Sequence, residues 1–167
     1  MIARLLALAT AAALLAGCYT LGDARPRMMQ GIETLAVPVS RNETLKPNVE
    51  ALLADTIVKQ LQTDGTYAIT YGDRADAVLE TTLIEARRSP ARSLRGNVLA
   101  TSEFLLLATV KFRVVEQSTG RELMAGQVTG QTSYFITGDL QTDEAQALPL
   151  AFSDAAVKLA SRVSEGF

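Results

Sequence analysis

Polar and apolar positions alternate most regularly between Phe104 and Val114. There Phe104, Leu106, Ala108, Val110, Phe112 and Val114 share one face, and Thr109, Lys111 and Arg113 fall on the other. This spacing predicts a strand with one buried and one partly solvated face. Ser118, Thr119 and Gly120 predict a hairpin turn, and the returning strand from Glu122 to Tyr134 places Met124, Gly126, Val128, Gly130 and Tyr134 on one side. Upstream, Thr34 to Val39 reads as a strand in which Pro38, lacking an amide donor, marks an end or an edge position. The period then lengthens. Val49, Leu52, Leu53, Ile57 and Leu61 recur at helical spacing, predicting a helix from Pro47 to Thr63 with Gly65 as its stop. A short strand around Tyr67 to Tyr71, a turn at Gly72 to Asp76 and a longer strand from Ala77 to about Arg87 follow. Phe152, Ala155, Ala156, Leu159, Ala160 and Val163 form an apolar stripe that predicts a last helix from about Asp143 to Ser164, with Pro149 either kinking it or marking its true start. This order implies an α+β fold, with two helices on one face of a mostly antiparallel or mixed sheet of four to five strands.

The amino end follows a different pattern. After Arg4, an apolar run from Leu5 to Ala16 is broken only by Thr10, which is the core of a secretory signal. It is too short to span a bilayer comfortably, since a spanning helix needs roughly 20 apolar residues. No later stretch is a better candidate, so a mature chain without a spanning helix is expected. The run closes on Leu15, Ala16, Gly17 and Cys18, which resembles the lipobox read by the lipoprotein signal peptidase. The resemblance implies that residues 1–17 are a signal peptide and that Cys18 becomes the acylated first residue. It also implies several acyl chains, each buried methylene contributing about 0.8 kcal/mol to anchoring. Tyr19, where an aspartate would retain a lipoprotein in the inner membrane, implies the outer membrane. Residues 18–30 are polar, carry Pro26 and show no apolar period, so they read as a lipidated tether. Residues 31–167 are then one domain.

Composition narrows the chemistry. About 150 mature residues suffice for one core. Loss of Arg4 leaves 15 basic against 18 acidic side chains, a mild negative balance that argues against a nucleic-acid partner. Cys18 is the only cysteine, so no intramolecular disulfide is expected. The chain has no histidine, which removes the commonest general base and the imidazole ligands of most catalytic zinc sites. Neither a nucleophile elbow nor a phosphate loop is present. No enzymatic activity, cofactor or metal is therefore expected. Asp139, Asp143 and Glu144 sit where carboxylates are favoured at a helix start rather than as a metal cluster.

Several short pieces, in order, resemble the LptE family of lipoproteins. Cys18, Tyr19, Leu21 and Gly22 resemble its opening, without the glycine that usually follows the cysteine. Ile32 to Val39 resembles its first strand, and Gly65, Tyr67 and Ile69 its helix exit. Ala75, Asp76, Ala77, Val78 and Leu79 match an A-D-A-x-L segment; Glu103 and Phe104 resemble the start of its long hairpin, Thr119 and Gly120 the turn, and Tyr134 the end of the return strand. The resemblance spans the mature chain. It implies an LptE-like domain that helps a large outer-membrane β-barrel, LptD, to assemble, plugs its lumen and binds lipopolysaccharide.

Residues 87–97 carry Arg87, Arg88, Arg92 and Arg95 with no acid. Guanidinium groups fit phosphate bidentately and stay charged, so this loop is a candidate lipopolysaccharide-binding site, with Leu94, Val98 and Leu99 beside the acyl region. Arg95 sits where the family carries an arginine implicated in lipopolysaccharide binding. Gln141, Thr142, Asp143 and Glu144 occupy the stretch where a second basic residue would stand. A solvated hairpin end is the plainer reading of such a basic loop, and a helix packing on the sheet, a bulge or an approaching partner each explain Gly126 and Gly130. Two other readings remain. A lipoprotein activator of a peptidoglycan synthase also has a strand, an N-E-T-like loop (Asn42, Glu43, Thr44) and a helix ending in Gly-x-Tyr. A carboxylate-only hydrolase would need Glu80 and Glu85 in one pocket.

Overall fold

The computed structural model describes residues 25–92, 103–136 and 138–166. Cys18 and Arg95 lie outside them. Six strands form one mixed sheet: β1 (Thr34–Ala36), β2 (Arg41–Asn42), β3 (Ala68–Thr70), β4 (Ala77–Arg92), β5 (Glu103–Glu116) and β6 (Glu122–Phe135). Two helices, α1 (Glu50–Asp64) and α2 (Leu140–Glu165), complete the α+β fold. The main strand order is β3-β1-β4-β5-β6, with β2 also paired to β4.

The expected strand through Val39 is split. β1 pairs in parallel with the start of β4, Leu35 opposite Ala77, and β2 pairs further along the same edge, Arg41 opposite Thr82. Pro38, which has no N–H to give a ladder, lies in the gap, and the buried Ser40 and Thr81 hydroxyls join across it at 2.6 Å. This split, rather than an additional hairpin, brings the strand number to six. The β1–α1–β3 crossover makes β1 and β3 parallel neighbours, whereas β4, β5 and β6 form a long antiparallel meander.

α1 starts at Glu50 rather than Pro47 and ends where expected, at Gly65, whose φ of 76° is the left-handed value a helix stop favours. α2 starts at Leu140, capped by the Asp139 carboxylate, which accepts from Thr142 N at 3.0 Å. It runs through Pro149 without ending, so Pro149 is not its start. The lost backbone bond is outweighed by burial: Ala151, Phe152, Ala155, Ala156, Leu159, Ala160 and Val163 are all closed to solvent against the sheet. Gly130 explains how closely α2 lies. A Cβ there would come within 2.0 Å of Ala151 O and 2.4 Å of Ala155 N, so helix packing accounts for this glycine. Leu53, Ile57 and Leu61 of α1 join Leu35, Leu79, Leu83, Leu106, Val110 and Phe112 in the same core.

The tether expected through Gln30 ends earlier. From Arg25 the chain is part of the fold: residues Arg27–Met29 form a 3₁₀ turn and Met29 is wholly buried. The Arg25 guanidinium donates to Ile32 O at 2.9 Å and Thr66 O at 3.0 Å and lies 5.3 Å from the centre of the Tyr67 ring. Met28 and Met29 are adjacent and only Met29 is buried, so the stretch offers no period to read and looks like tether by its pattern alone.

Candidate functional site: the arginine-bearing end of the meander

Three of the candidate arginines, Arg87, Arg88 and Arg92, fall on a strand rather than in the expected loop, and Arg95 lies outside the described residues. β4 continues past Arg87 to Arg92 because β5 runs beside it, Ala86 opposite Ala108 and Arg88 opposite Leu106. Pro90 is tolerated because beyond Leu83 neither β1 nor β2 pairs with β4, so its other side is an edge.

A register shift between Leu83 and Glu85 decides where each side chain goes. Before it, Leu79, Thr81 and Leu83 face the helices. After it, the even-numbered residues take that side, since Ala86 and Arg88 stand opposite the buried Ala108 and Leu106. Arg87 therefore points to the outer face of the sheet, where it is exposed and pairs with Glu85 at 3.1 Å. Arg88 points toward the helices. Its Nη1 is 2.9 Å from Glu144 Oε2, and its guanidinium lies 5.5 Å from the centre of the Phe104 ring. Lys46, from the loop before α1, binds the other oxygen of Glu144. Phe104 in turn meets Tyr134, ring centres 6.1 Å apart, and the Tyr134 hydroxyl is buried without a hydrogen-bond partner.

The two described arginine side chains thus differ in role. Arg88 is committed to a carboxylate that is 8% exposed, whereas Arg87 presents its charge outward. Arg92 is paired through its backbone with Glu103. The stretch where a second basic residue would stand instead supplies Glu144, the acid that neutralises Arg88 and Lys46. Nothing local in the sequence marks this cluster, because its members are far apart along the chain. The only hint is a group of acids at a helix start, Glu144 among them, and an arginine just past the expected end of a strand.

The other acids are also engaged. Asp139 caps α2, and its bonds to the Thr142 hydroxyl and N–H hold its carboxyl below the ordinary aspartate value. Glu80 accepts from Arg113 at 2.6 Å while Glu85 holds Arg87, so the two carboxylates a hydrolase would use sit in separate ion pairs. No group of acids and thiols arranged to hold a metal occurs among the described residues, and no described helix is long and apolar enough to cross a membrane. A groove of about 420 Å³ lies between β6 and α2, with Gln127, Thr129, Val157 and Arg162 among its walls. Neither Arg87 nor Arg88 lines it.

Two helices, of 15 and 26 residues, over one face of a sheet dominated by a long three-stranded meander define a fold shared with bacterial lipoproteins. A minor lipoprotein of Acinetobacter baumannii has it, at 20% identity over 81% of this chain and 92% of that one, with a TM-score of 0.50. So does a lipoprotein of Caulobacter crescentus, at 20% identity over 80% and 87% of the two chains, with a TM-score of 0.52. PelC of Paraburkholderia phytofirmans, a dodecamer, matches at 18% identity over 87% and 96%, with a TM-score of 0.50. By sequence, no family model and no curated protein matches the chain.

Proposed function

We propose that the chain is a non-enzymatic outer-membrane lipoprotein, acylated at Cys18, which assists the assembly of an LptD-type barrel, plugs it and binds lipopolysaccharide during its transfer to the cell surface. One observation carries the reading: the residues that resemble the LptE family fall on the joints of the fold. Asp76 of the A-D-A-x-L segment fastens β4 to β1, and Tyr67, after the helix stop, donates its hydroxyl to Val163 O at 3.1 Å. Glu103 and Phe104 open β5, and Tyr134 comes at the end of β6. Motif pieces that are weak one by one gain weight when each occupies a position the fold depends on. The fold shared with bacterial lipoproteins supports export and anchoring. For anion binding, the exposed Arg87 is the described side chain suited to a lipid phosphate. Arg92 and Arg95 extend the same basic run.

The test is an affinity pull-down of the full-length, C-terminally tagged lipoprotein from mild-detergent extracts of its native envelope, read by mass spectrometry. One large β-barrel protein in near-equal amount is the expected result. A peptidoglycan synthase in its place would favour the activator reading. That alternative draws some support from the ordered N-E-T turn, where Thr44 N donates to Asn42 Oδ1 at 2.9 Å and Asn42 Nδ2 to Glu50 Oε1 at 3.1 Å. Recovery of neither partner would sink both.

A further inference from the structure

The point at which the chain enters the fold restricts how the domain meets a membrane. Arg25 is the first described residue, and it is held at once by Ile32 O, Thr66 O and the Tyr67 ring. Pro26 packs beside Gly166, and Met29 is buried. All of these lie at one end of the molecule. The stops of both helices, Gly65 and Gly166, are there, together with the starts of β1, β3 and β4 and the 118–120 turn, since Ala77 stands opposite Glu116 and Leu35 opposite both Ala77 and Ile69.

Seven residue steps separate Cys18 from Arg25. Even fully extended they reach at most about 25 Å. The opposite end, where Arg92 stands opposite Glu103, is 15 strand steps from Ala77, or roughly 45 to 50 Å at 3.3 Å per residue. The N-terminal turn of α2 lies toward that far end, because Glu144 meets Arg88.

We infer that the end carrying Arg25, the 118–120 turn and both helix stops is the membrane-proximal surface of the domain, facing the headgroups of the leaflet that holds the lipid, with the arginine-bearing end standing off from it. The inference rests on the reading that Cys18 is acylated. The leash, rather than an affinity of this end for lipid, sets the orientation. As the domain swings about its anchored end, the far end sweeps a shell of about 50 Å radius, and only flat-lying orientations bring it to the headgroups. In upright orientations Arg87, ten residues along β4 from Ala77, is held clear of the anchoring leaflet and open to a phosphate-bearing ligand still on its way to the membrane.

The test uses the full-length lipoprotein reconstituted in phosphatidylethanolamine–phosphatidylglycerol vesicles containing a headgroup-labelled acceptor lipid. Cys18 is the chain's only cysteine, so once it is acylated a single engineered thiol is labelled cleanly. Ser118→Cys and Gln141→Cys, both at exposed positions, place a donor dye at the two ends. Energy transfer to the acceptor lipid is expected to be severalfold greater from residue 118 than from residue 141. A flexible Gly-Ser insert of about 20 residues after Gly22, spanning roughly another 25 Å, is expected to bring the two signals together. Equal transfer in the uninterrupted chain, from protein that floats with the vesicles, would overturn the orientation while leaving anchoring intact. Protein that does not float, and whose N-terminal peptide carries no acyl mass, would overturn the anchoring and the orientation with it.

Discussion

Thr34 and Asp76 hold each other reciprocally. The Thr34 hydroxyl donates to Asp76 Oδ2 at 2.8 Å and accepts the Asp76 N–H at 2.9 Å. The same carboxylate oxygen takes the N–H of Glu33 at 3.0 Å and of Thr34 at 2.9 Å. This clasp sets the parallel register in which Leu35 faces Ala77.

The Glu33 N–H, followed by the hydroxyl and N–H of Thr34, holds the Asp76 carboxyl below its ordinary value of 3.8. A carboxyl depressed in the folded state stabilises the fold above the unfolded value and loses that contribution as pH falls through the folded one. Asp76→Asn is expected to cost about 1 kcal/mol at neutral pH. The gap between wild type and variant should close as the pH drops below 3.8. Thermal melts across the acid range would show it, and a gap that persists in strong acid would mean that the charge is not the source.

Gly130 and Gly126 should respond differently to the same substitution. A methyl at Gly130 meets α2 backbone at 2.0 Å and 2.4 Å, whereas at Gly126 it meets the end of the Phe112 ring at 3.1 Å. Because backbone cannot step aside as a ring can, Gly130→Ala is expected to cost about 3 kcal/mol or more and Gly126→Ala about 1 kcal/mol or less. Denaturant titration of both variants gives the comparison.

Arg87 and Arg88 are neighbours with separable effects. Glu144→Gln or Arg88→Ala breaks a largely buried ion pair, which would cost about 3 to 5 kcal/mol in full burial. Because the Arg88 and Lys46 side chains are 34% and 39% exposed, roughly 2 kcal/mol is expected. Arg87→Ala, at a solvated pair, should change stability by less than about 0.5 kcal/mol. Denaturation midpoints measure both. A fall in lipopolysaccharide co-purification with Arg87→Ala would report on binding rather than folding.

Asp154 and Lys158 protect the free edge of β6. Asp154 Oδ2 accepts Gln131 N–H at 2.8 Å, and Lys158 Nζ donates to Thr129 O at 2.8 Å and to Asp154 at 2.7 Å. Burial opposes ionisation of Asp154, yet Lys158 and the Gln131 N–H outweigh it and hold the carboxyl below its ordinary value. An uncapped edge strand of 14 residues is a template for pairing with another chain. Asp154→Ala with Lys158→Ala is expected to self-associate with rising concentration, as sedimentation would reveal. A double variant that stays monomeric would show that this pair does not guard the edge.

The elements were legible wherever a residue's own neighbours in sequence decide the outcome. The alternation from Phe104 to Val114, the turn at Gly120 and the stop at Gly65 all depend on periods or backbone preferences a few residues long. Boundaries were less so. α2 passes Pro149 and β4 passes Pro90 because surfaces contributed by distant strands outweigh a local breaker, and no window of sequence contains those surfaces.

By itself, then, the sequence determined the secretory and lipobox pattern at Cys18, the α+β class, the long hairpin and the run of arginines. Tertiary structure alone decided that Met29 belongs to the core and that α2 fills the space above Gly130. It also decided that the bulge after Leu83 turns Arg88 inward to Glu144, 56 residues away, and leaves Arg87 outside. The physical reason is one of range. Periodicity and turn chemistry act over one or two turns of chain, whereas register, the face a bulge selects and the partner an ion finds depend on which distant segments the core brings together.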